Sequence, residues 1–340
     1  MARFTFLQFL ASQWAPVPPV ETADLSGKTV LVVGANIGLG YEAAKHFASM
    51  KPAKLVLGCR TEEKGRRAVE SIRKATGFDG VEARVVDLAN FQSVVSFAEG
   101  YMREGNRLDI YVYNAAVAVY TYAPTVDGWE TTLQVNDLSC MLLSVLLLPC
   151  MLKSAGPSWR PRAVVVSSEV HYWSTLKPDE LASTSLLEKL NNKSYCTRNV
   201  MSGRYELSKL LNVFFVRELA ARLPQDSPLI VNAVNPGFCK SGLARNLPFL
   251  DFIGHSAFQL FTARTSEQGS RMLVWAAIGG RNREAELHGA YVSDAGVMEV
   301  SDFVLSNEGA DTQKRLWEES TETLSLVSPT FKTVIQDLLR

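Results

Sequence analysis

Thr29-Val30-Leu31-Val32-Val33-Gly34-Ala35-Asn36-Ile37-Gly38-Leu39-Gly40 is the stretch that decides the fold. Val30 to Val33 is a short apolar, β-branched run of the kind that forms a strand buried on both faces. It passes directly into three glycines and then into a helical pattern from Leu39 to Met50. A strand-to-helix turn built on glycine lets the main chain approach a pyrophosphate, which then rests on the positive end of the helix. The spacing is Gly-x-x-x-Gly-x-Gly rather than Gly-x-Gly-x-x-Gly, and no Lys-Ser/Thr follows, which excludes a nucleotidase phosphate loop. Glycines in such a turn also serve close helix–strand packing. At the head of an alternating strand–helix series, the turn reads as a nucleotide site with Gly34, Asn36, Ile37, Gly38 and Gly40 at its contacts.

That series extends outward from the turn. Strand-like runs lie at Thr29–Val33, Lys54–Gly58, Ala83–Val86, Leu108–Tyr113, Ala163–Ser167 and Leu229–Val234. Amphipathic stretches separate them at Leu39–Met50, Glu62–Ala75, Phe91–Met102, Trp129–Lys153 and Tyr205–Leu223. The alternation predicts right-handed βαβ units in a single doubly wound parallel sheet flanked by helices, an α/β fold. One domain over 24–300 is expected, with an N-terminal apolar and proline-rich extension over 1–23 and a helical tail over 301–340. Lys177–Gly203, rich in Ser, Asn and Lys, reads as a loop-like insert.

The second strand closes on Leu57-Gly58-Cys59-Arg60, where a dinucleotide site normally places an acid for the adenosine ribose. Arg60 offers a guanidinium instead. It can pair with a 2′-phosphate, which favours NADP(H) over NAD, unless it merely ends a strand in solvent. Asp87 and Leu88, after the third strand, are placed to meet the adenine, although an acid there also suits a helix N-terminus. Tyr205-Glu-Leu-Ser-Lys209 opens a long helix, and the i, i+4 spacing puts phenol and ammonium on one face. A nearby cation lowers a phenol's pKa from its ordinary value of about 10. Ala163-Val-Val-Val-Ser167-Ser168 is a buried strand ending in two hydroxyls.

Taken together, these motifs are similar to those of the short-chain dehydrogenase/reductase family over about residues 24–300, with the Rossmann-type fold that the resemblance implies. The matching positions are Gly34/Gly38/Gly40, Asp87, Asn114-Ala115-Ala116, Asn136, Ser168, Tyr205, Lys209 and Asn235-Pro236-Gly237. The finer resemblance is to fungal and retinol-dehydrogenase-like members. It implies that Tyr205 is the general acid for carbonyl reduction, or the base for alcohol oxidation, and that Lys209 lowers its pKa and binds the nicotinamide ribose. Ser168, rather than Ser167, would hydrogen-bond the substrate oxygen, and Asn136 would hold a water linking Lys209 to solvent. Asn114, Ala115, Pro236, Gly237 and Ser241 would line the cofactor. Relatives often pair through the helices after strands four and five, so the apolar run Met141–Met151 is compatible with a homodimer. Two departures stand out: Val33 replaces the usual Thr before the first glycine, and Ala116 replaces the usual Gly.

The rest of the chain narrows the function. With 35 basic and 35 acidic side chains the net charge is zero, so nothing attracts a nucleic acid. Composition of 47% apolar and 21% charged residues excludes a disordered chain. Five cysteines without a Cys-x-x-Cys pair, and four histidines without ligand spacing, predict neither disulfides nor a metal site and fit a cytoplasmic protein. Phe4 to Leu10 is too short to span a bilayer. It reads as a helix packed on its own protein, with a peripheral anchor on a cytosolic membrane face as the alternative. His171 follows Ser168 without a Gly-x-Ser-x-Gly elbow, so a serine hydrolase is set aside. His171 and Trp173, with Phe249 and Phe252 in a phenylalanine-rich lid over about 242–264, are expected to wall a pocket for a bulky apolar ketone or alcohol. A terpenoid, steroid-like or polyketide intermediate of secondary metabolism would suit such a pocket. The alternative function is a catalytically silent NADP-binding sensor of the same fold.

Overall fold

The computed structural model describes residues 5–105, 107–240 and 259–340. A short helix, α1 (Phe6–Trp14), precedes β1 (Thr29–Val33), which is buried along its whole length. The chain then steps outward through α2 (Gly38–Ser49), β2 (Lys54–Cys59), α3 (Glu62–Thr76) and β3 (Val81–Val85). Helix α4 (Phe91–Arg103) carries it back across β1 to β4 (Ile110–Tyr113). Next come α5 (Thr131–Leu133), a π-helical turn over Gln134–Leu138, α6 (Ser139–Leu146), α7 (Leu148–Leu152) and β5 (Arg162–Val166). The sheet order is β3-β2-β1-β4-β5 and onward, so the connection reverses between β1 and β4. In open α/β sheets that crevice, at the carboxyl ends of the strands, is where ligands bind.

The insert contains α8 (Pro178–Leu181), α9 (Leu186–Asn191) and α10 (Arg198–Ser202), followed by α11 (Arg204–Arg222) and β6 (Ile230–Val234). After the undescribed residues 241–258 come α12 (Ser266–Ile278), α13 (Glu284–Leu287), β7 (Ala290–Ser293) and β8 (Gly296–Met298). The tail is α14 (Asp302–Leu305), α15 (Asn307–Val327) and α16 (Pro329–Leu338). Among the described residues the sheet has eight strands, of which β1 to β7 pair in parallel and β8 returns antiparallel to β7. The doubly wound parallel sheet expected from the sequence is present, with one antiparallel strand added at this edge. The hairpin turns on Asp294 and Ala295, both at positive φ (47° and 59°). Tight hairpin turns normally advertise such residues as Asn-Gly or Gly, so Asp-Ala carries no recognisable signal.

Pleating divides the core. Val30 and Val32 of β1 face one apolar cluster with α2, α3 and α12, while Leu31 and Val33 face another with α4, α6 and α11. Trp317, Leu324, Phe331 and Val334 of the tail join the second cluster, alongside Met141, Leu142 and Met151. The apolar run that would serve a homodimer is therefore covered by the chain's own C-terminal helices. The insert is helical rather than loop-like for a tertiary reason. Leu186, Leu187 and Leu190 are buried, and Glu319 of α15 accepts from the backbone N–H of Leu186 (3.0 Å) and Leu187 (2.8 Å). No described helix is long and apolar enough to cross a membrane. All five cysteines are free and buried.

Candidate active site

The glycine turn is shaped by contacts that admit no side chain. Gly34 has φ +81°, and a Cβ there would lie 2.7 Å from the Cα of Ala115. A Cβ on Gly40 would lie 2.4 Å from Gly34 O and 2.5 Å from Asn114 Nδ2. Asn114 donates to Gly34 O (2.9 Å), and Gly34 N–H donates to Gly58 O (2.8 Å), so neighbouring strands hold the turn although Val33 brings no hydroxyl. Helix α2 begins at Gly38 with no side-chain cap, leaving first-turn N–H groups for an anion.

A cavity of about 810 Å³ opens above this turn. Gly34, Asn36, Ile37, Gly38, Arg60, Asp87, Leu88, Asn114 and Ala115 line it, whereas Tyr205, Lys209, Pro236 and Gly237, also expected at the cofactor, do not. Gly40 packs beneath rather than in the lining. Lys64, Arg67, Tyr41 and Ser71 also line it, beyond the contacts that the sequence predicts. Their signal is faint, because cations on the exposed face of α3 look like ordinary solvated helix surface. Asp87 Oδ1 accepts from Ala89 N–H (3.0 Å), which shapes the turn after β3.

Of the predicted catalytic residues, Ser168 follows β5, Tyr205 and Lys209 lie on α11, and Asn136 lies on the π-helical turn, all outside the lining of that cavity. Ser167 is buried and donates to Lys209 O (2.8 Å), whereas Ser168 is half-buried and caps the 3₁₀ turn Glu169–Trp173. Tyr205, also half-buried, starts α11, whose position is set by its neighbour Arg204. That buried guanidinium donates to Leu190 O (2.8 Å) and lies 3.7 Å from the buried Glu130 carboxylate. Lys209 Nζ sits over the Tyr205 ring, 5.6 Å from its centroid, and donates to Val166 O (2.8 Å) and Asn212 Oδ1 (3.1 Å).

The electrostatics depart from the expectation that Lys209 depresses the Tyr205 pKa. Burial pushes the Tyr205 phenol up, and Glu206, Tyr120, Cys239 and Glu169 add to the rise. Burial also lowers Lys209 to about 8, against the opposing pull of Asp137. The upward direction favours the neutral phenol.

Asn136 likewise does more than a water-holding role requires. Its amide donates to Val117 O and Ser208 Oγ, both at 2.9 Å, and its Oδ1 accepts from Val117 N–H (2.9 Å). It thereby ties the loop after β4 to α11. Asn212, which the sequence reading does not single out, links Lys209 to this site by donating to Asn136 O (2.8 Å) and Asp137 Oδ1 (3.1 Å). Its position at i+3 from Lys209 is the available signal.

Gly237 has φ +78°, and a Cβ there would meet the Arg264 guanidinium at 2.8 Å. Asn235 joins this turn to the end of β5. Its Oδ1 accepts from Gly237 N–H (3.0 Å) and Glu169 N–H (3.2 Å), and its Nδ2 donates to Glu169 Oε2 (3.1 Å). His171 is corrected as a pocket residue. It is fully buried between Tyr172 and Tyr291, with ring centroids at 4.1 and 4.5 Å, and burial lowers its pKa to about 4. Trp173 is half exposed and meets Phe9 of α1 edge-on at 5.8 Å. Ser241, Phe249, Phe252 and most of the expected lid lie outside the described residues.

Comparison with known proteins places this geometry. A family model described as short chain dehydrogenase matches residues 28–170. The chain is 35% identical over 325 residues to the short chain dehydrogenase/reductase dmxR8 of Cryptosporiopsis sp. (strain 8999), covering 94% of this chain and 98% of that one.

The chain belongs to the short-chain dehydrogenase/reductase family.

Another family member, the short chain dehydrogenase sol3 of Alternaria solani, is 37% identical over 280 residues, covering 82% of this chain and 93% of its own. Solved structures agree in fold. A short chain dehydrogenase from Shigella flexneri 2a, complexed with NADP, aligns with a TM-score of 0.59 at 22% identity, covering 81% of this chain and all of that one (100%). One from Escherichia coli CFT073, complexed with NADPH, aligns at 0.57 and 23% identity over 80% of this chain and 98% of that one. The family is one of oxidoreductases that bind a nicotinamide cofactor. The glycine cradle, the uncapped start of α2 and the adjoining cavity fit such a group.

Proposed function

We propose that this chain is an NADP(H)-dependent oxidoreductase that interconverts a ketone and a secondary alcohol on a bulky, mostly hydrocarbon substrate. The observation that carries the reading is the pairing of two features. One is the glycine-lined cavity with Arg60, Lys64 and Arg67 at one end. The other is Ser168 after β5 together with Tyr205 and Lys209 on α11. The guanidinium and ammonium groups suit a 2′-phosphate, which NAD lacks. When bound, the nicotinamide supplies or accepts the hydride.

The chain's own residues do the rest. Tyr205, whose phenol burial pushes up, donates its hydroxyl proton to the carbonyl oxygen in reduction. Ser168 holds that oxygen and stabilises the charge developing on it. Lys209 fixes the Tyr205 side of α11 and carries the positive charge there. A terpenoid, steroid-like or polyketide ketone suits the aromatic surroundings that Trp173, Phe238 and Phe9 provide.

The test is nicotinamide turnover against a panel of bulky apolar and small polar ketones and alcohols, with NADPH and NADH compared. The expected result is NADPH-dependent reduction of the bulky ketones. Turnover confined to small polar carbonyls overturns the substrate class. Cofactor binding without turnover on any member of the panel overturns catalysis in favour of a sensor.

A further inference from the structure

Helix α1 does not merely rest on the domain. It is held at two turns that flank the reacting centre. Thr5 and Gln8 cap its start reciprocally, with Thr5 N–H donating to Gln8 Oε1 (2.7 Å) and Gln8 N–H to Thr5 Oγ1 (3.3 Å). One turn and a half further on, Gln13 is buried. Its Nε2 donates to Glu169 Oε1 (3.3 Å), and its Oε1 accepts from the backbone N–H of Phe238 (3.1 Å). Glu169 follows Ser168, and Phe238 follows Pro236-Gly237. A single amide therefore bridges the segment that carries the substrate-facing serine and the turn that ends β6. Ser12 O, beside it, accepts from Arg264 Nη2 (2.8 Å), the guanidinium packed on Gly237.

Phe9 stands one turn before Gln13 and is 4% exposed, although α1 is solvated on its outer side. Its ring meets Trp173 at 5.8 Å and Phe238 at 6.2 Å, so it fills the gap between the same two segments. Trp173 ends the 3₁₀ turn that Ser168 caps, so Phe9 packs on the segment that carries the serine.

We propose that α1 is a wall of the substrate site. Phe9 is a specificity residue for bulky apolar substrates, and Gln13 is a positioning residue that holds Glu169 and the Phe238 main chain in register. The proposal rests on the ketone/alcohol reading above. It predicts that the extension sets what is reduced rather than whether reduction occurs.

The experiment compares Phe9→Ala and Gln13→Met with the full-length parent. With saturating NADPH, kcat/KM is measured on one bulky apolar ketone and one small ketone, and backbone amide exchange is followed at Phe238. Phe9→Ala should reduce kcat/KM for the bulky ketone about tenfold or more, the worth of a buried aromatic contact, and leave the small ketone nearly unchanged. Equal losses on both ketones, or none on either, overturn the specificity role. Gln13→Met keeps the side-chain length and removes the amide. It should speed Phe238 exchange about tenfold, as expected for one lost hydrogen bond, and raise KM for the bulky ketone while leaving NADPH affinity in place. Unchanged exchange overturns the positioning role. A parent protein that reduces no ketone overturns the catalytic reading instead, and the Phe238 exchange arm still judges the seating of α1.

Discussion

The cofactor end of the cleft is formed by nearly contiguous main chain, Gly34 to Gly40, clasped by Asn114 and Ala115. The proposed substrate end is assembled from side chains far apart in sequence, with Gln13 and Phe238 joined across 225 positions. The first end recognises charge and shape through backbone N–H groups and a few cations, and its requirements can be written in glycines. The second end relies on packed rings and a bridging amide whose meaning depends on what folds beside them. A change at the cofactor end should therefore act on every substrate alike, and a change at the substrate end should discriminate.

The largest expected effect lies at the junction of the two. Tyr205→Phe should lower turnover by about 10²–10⁴, the usual worth of a general acid, with NADPH affinity nearly intact by fluorescence titration. Retention of turnover would remove Tyr205 from the chemistry. Gly40→Ala should come next, because its Cβ must displace Gly34 O or the Asn114 amide. A loss of about 1–3 kcal/mol in stability is expected, visible as a lower Tm, together with weakened cofactor binding that is the same for every substrate. Substrate-dependent losses would contradict the division between the two ends.

Arg60→Asp should shift the NADPH-to-NADH preference by about tenfold or more, from the loss of a charge-assisted bond of about 1.5–3 kcal/mol. An unchanged preference would pass the 2′-phosphate to Lys64 and Arg67 alone.

The smallest effect is one of pH. Glu169 is buried against Gln13 and Asn235, with Arg264 and Asp294 nearby, and burial pushes its carboxyl up from 4.5 to about 7. Since the folded state favours the protonated form, this group's contribution is fully present below about 4.5 and is lost as pH rises through about 7. Glu169→Gln should flatten the fall in Tm between about pH 5 and 8 by that contribution. An identical pH profile in the variant would show that the carboxyl ionises without cost.

Much of the cofactor end is legible in the sequence. Val30–Val33 running into Gly34 is a local pattern, and strand burial and helix dipole follow from it within a dozen residues. The tyrosine–lysine spacing is legible for the same reason, since helix periodicity alone places both on one face. His171 misleads because a histidine near Ser168 looks like pocket chemistry, while one of the two rings that enclose it, Tyr291, arrives on β7. Strands β7 and β8 escape a sequence reading because Asp294-Ala295 adopts a turn that its residue types do not announce. The insert over 177–203 reads as loop-like because its short helices are held and buried by Glu319 and the tail, which lie more than a hundred residues downstream.

By itself the sequence determined the doubly wound sheet, the glycine turn and the tyrosine–lysine face, because each depends on periodicity and backbone freedom within one segment. Only the tertiary structure decided that the C-terminal helices cover the apolar run Met141–Met151. It alone decided that Phe9 packs against Trp173 and Phe238, and that Gln13 bridges Glu169 and the Phe238 main chain. Desolvation and side-chain contact depend on what arrives from elsewhere in the chain, and neighbouring residues in sequence carry no record of it.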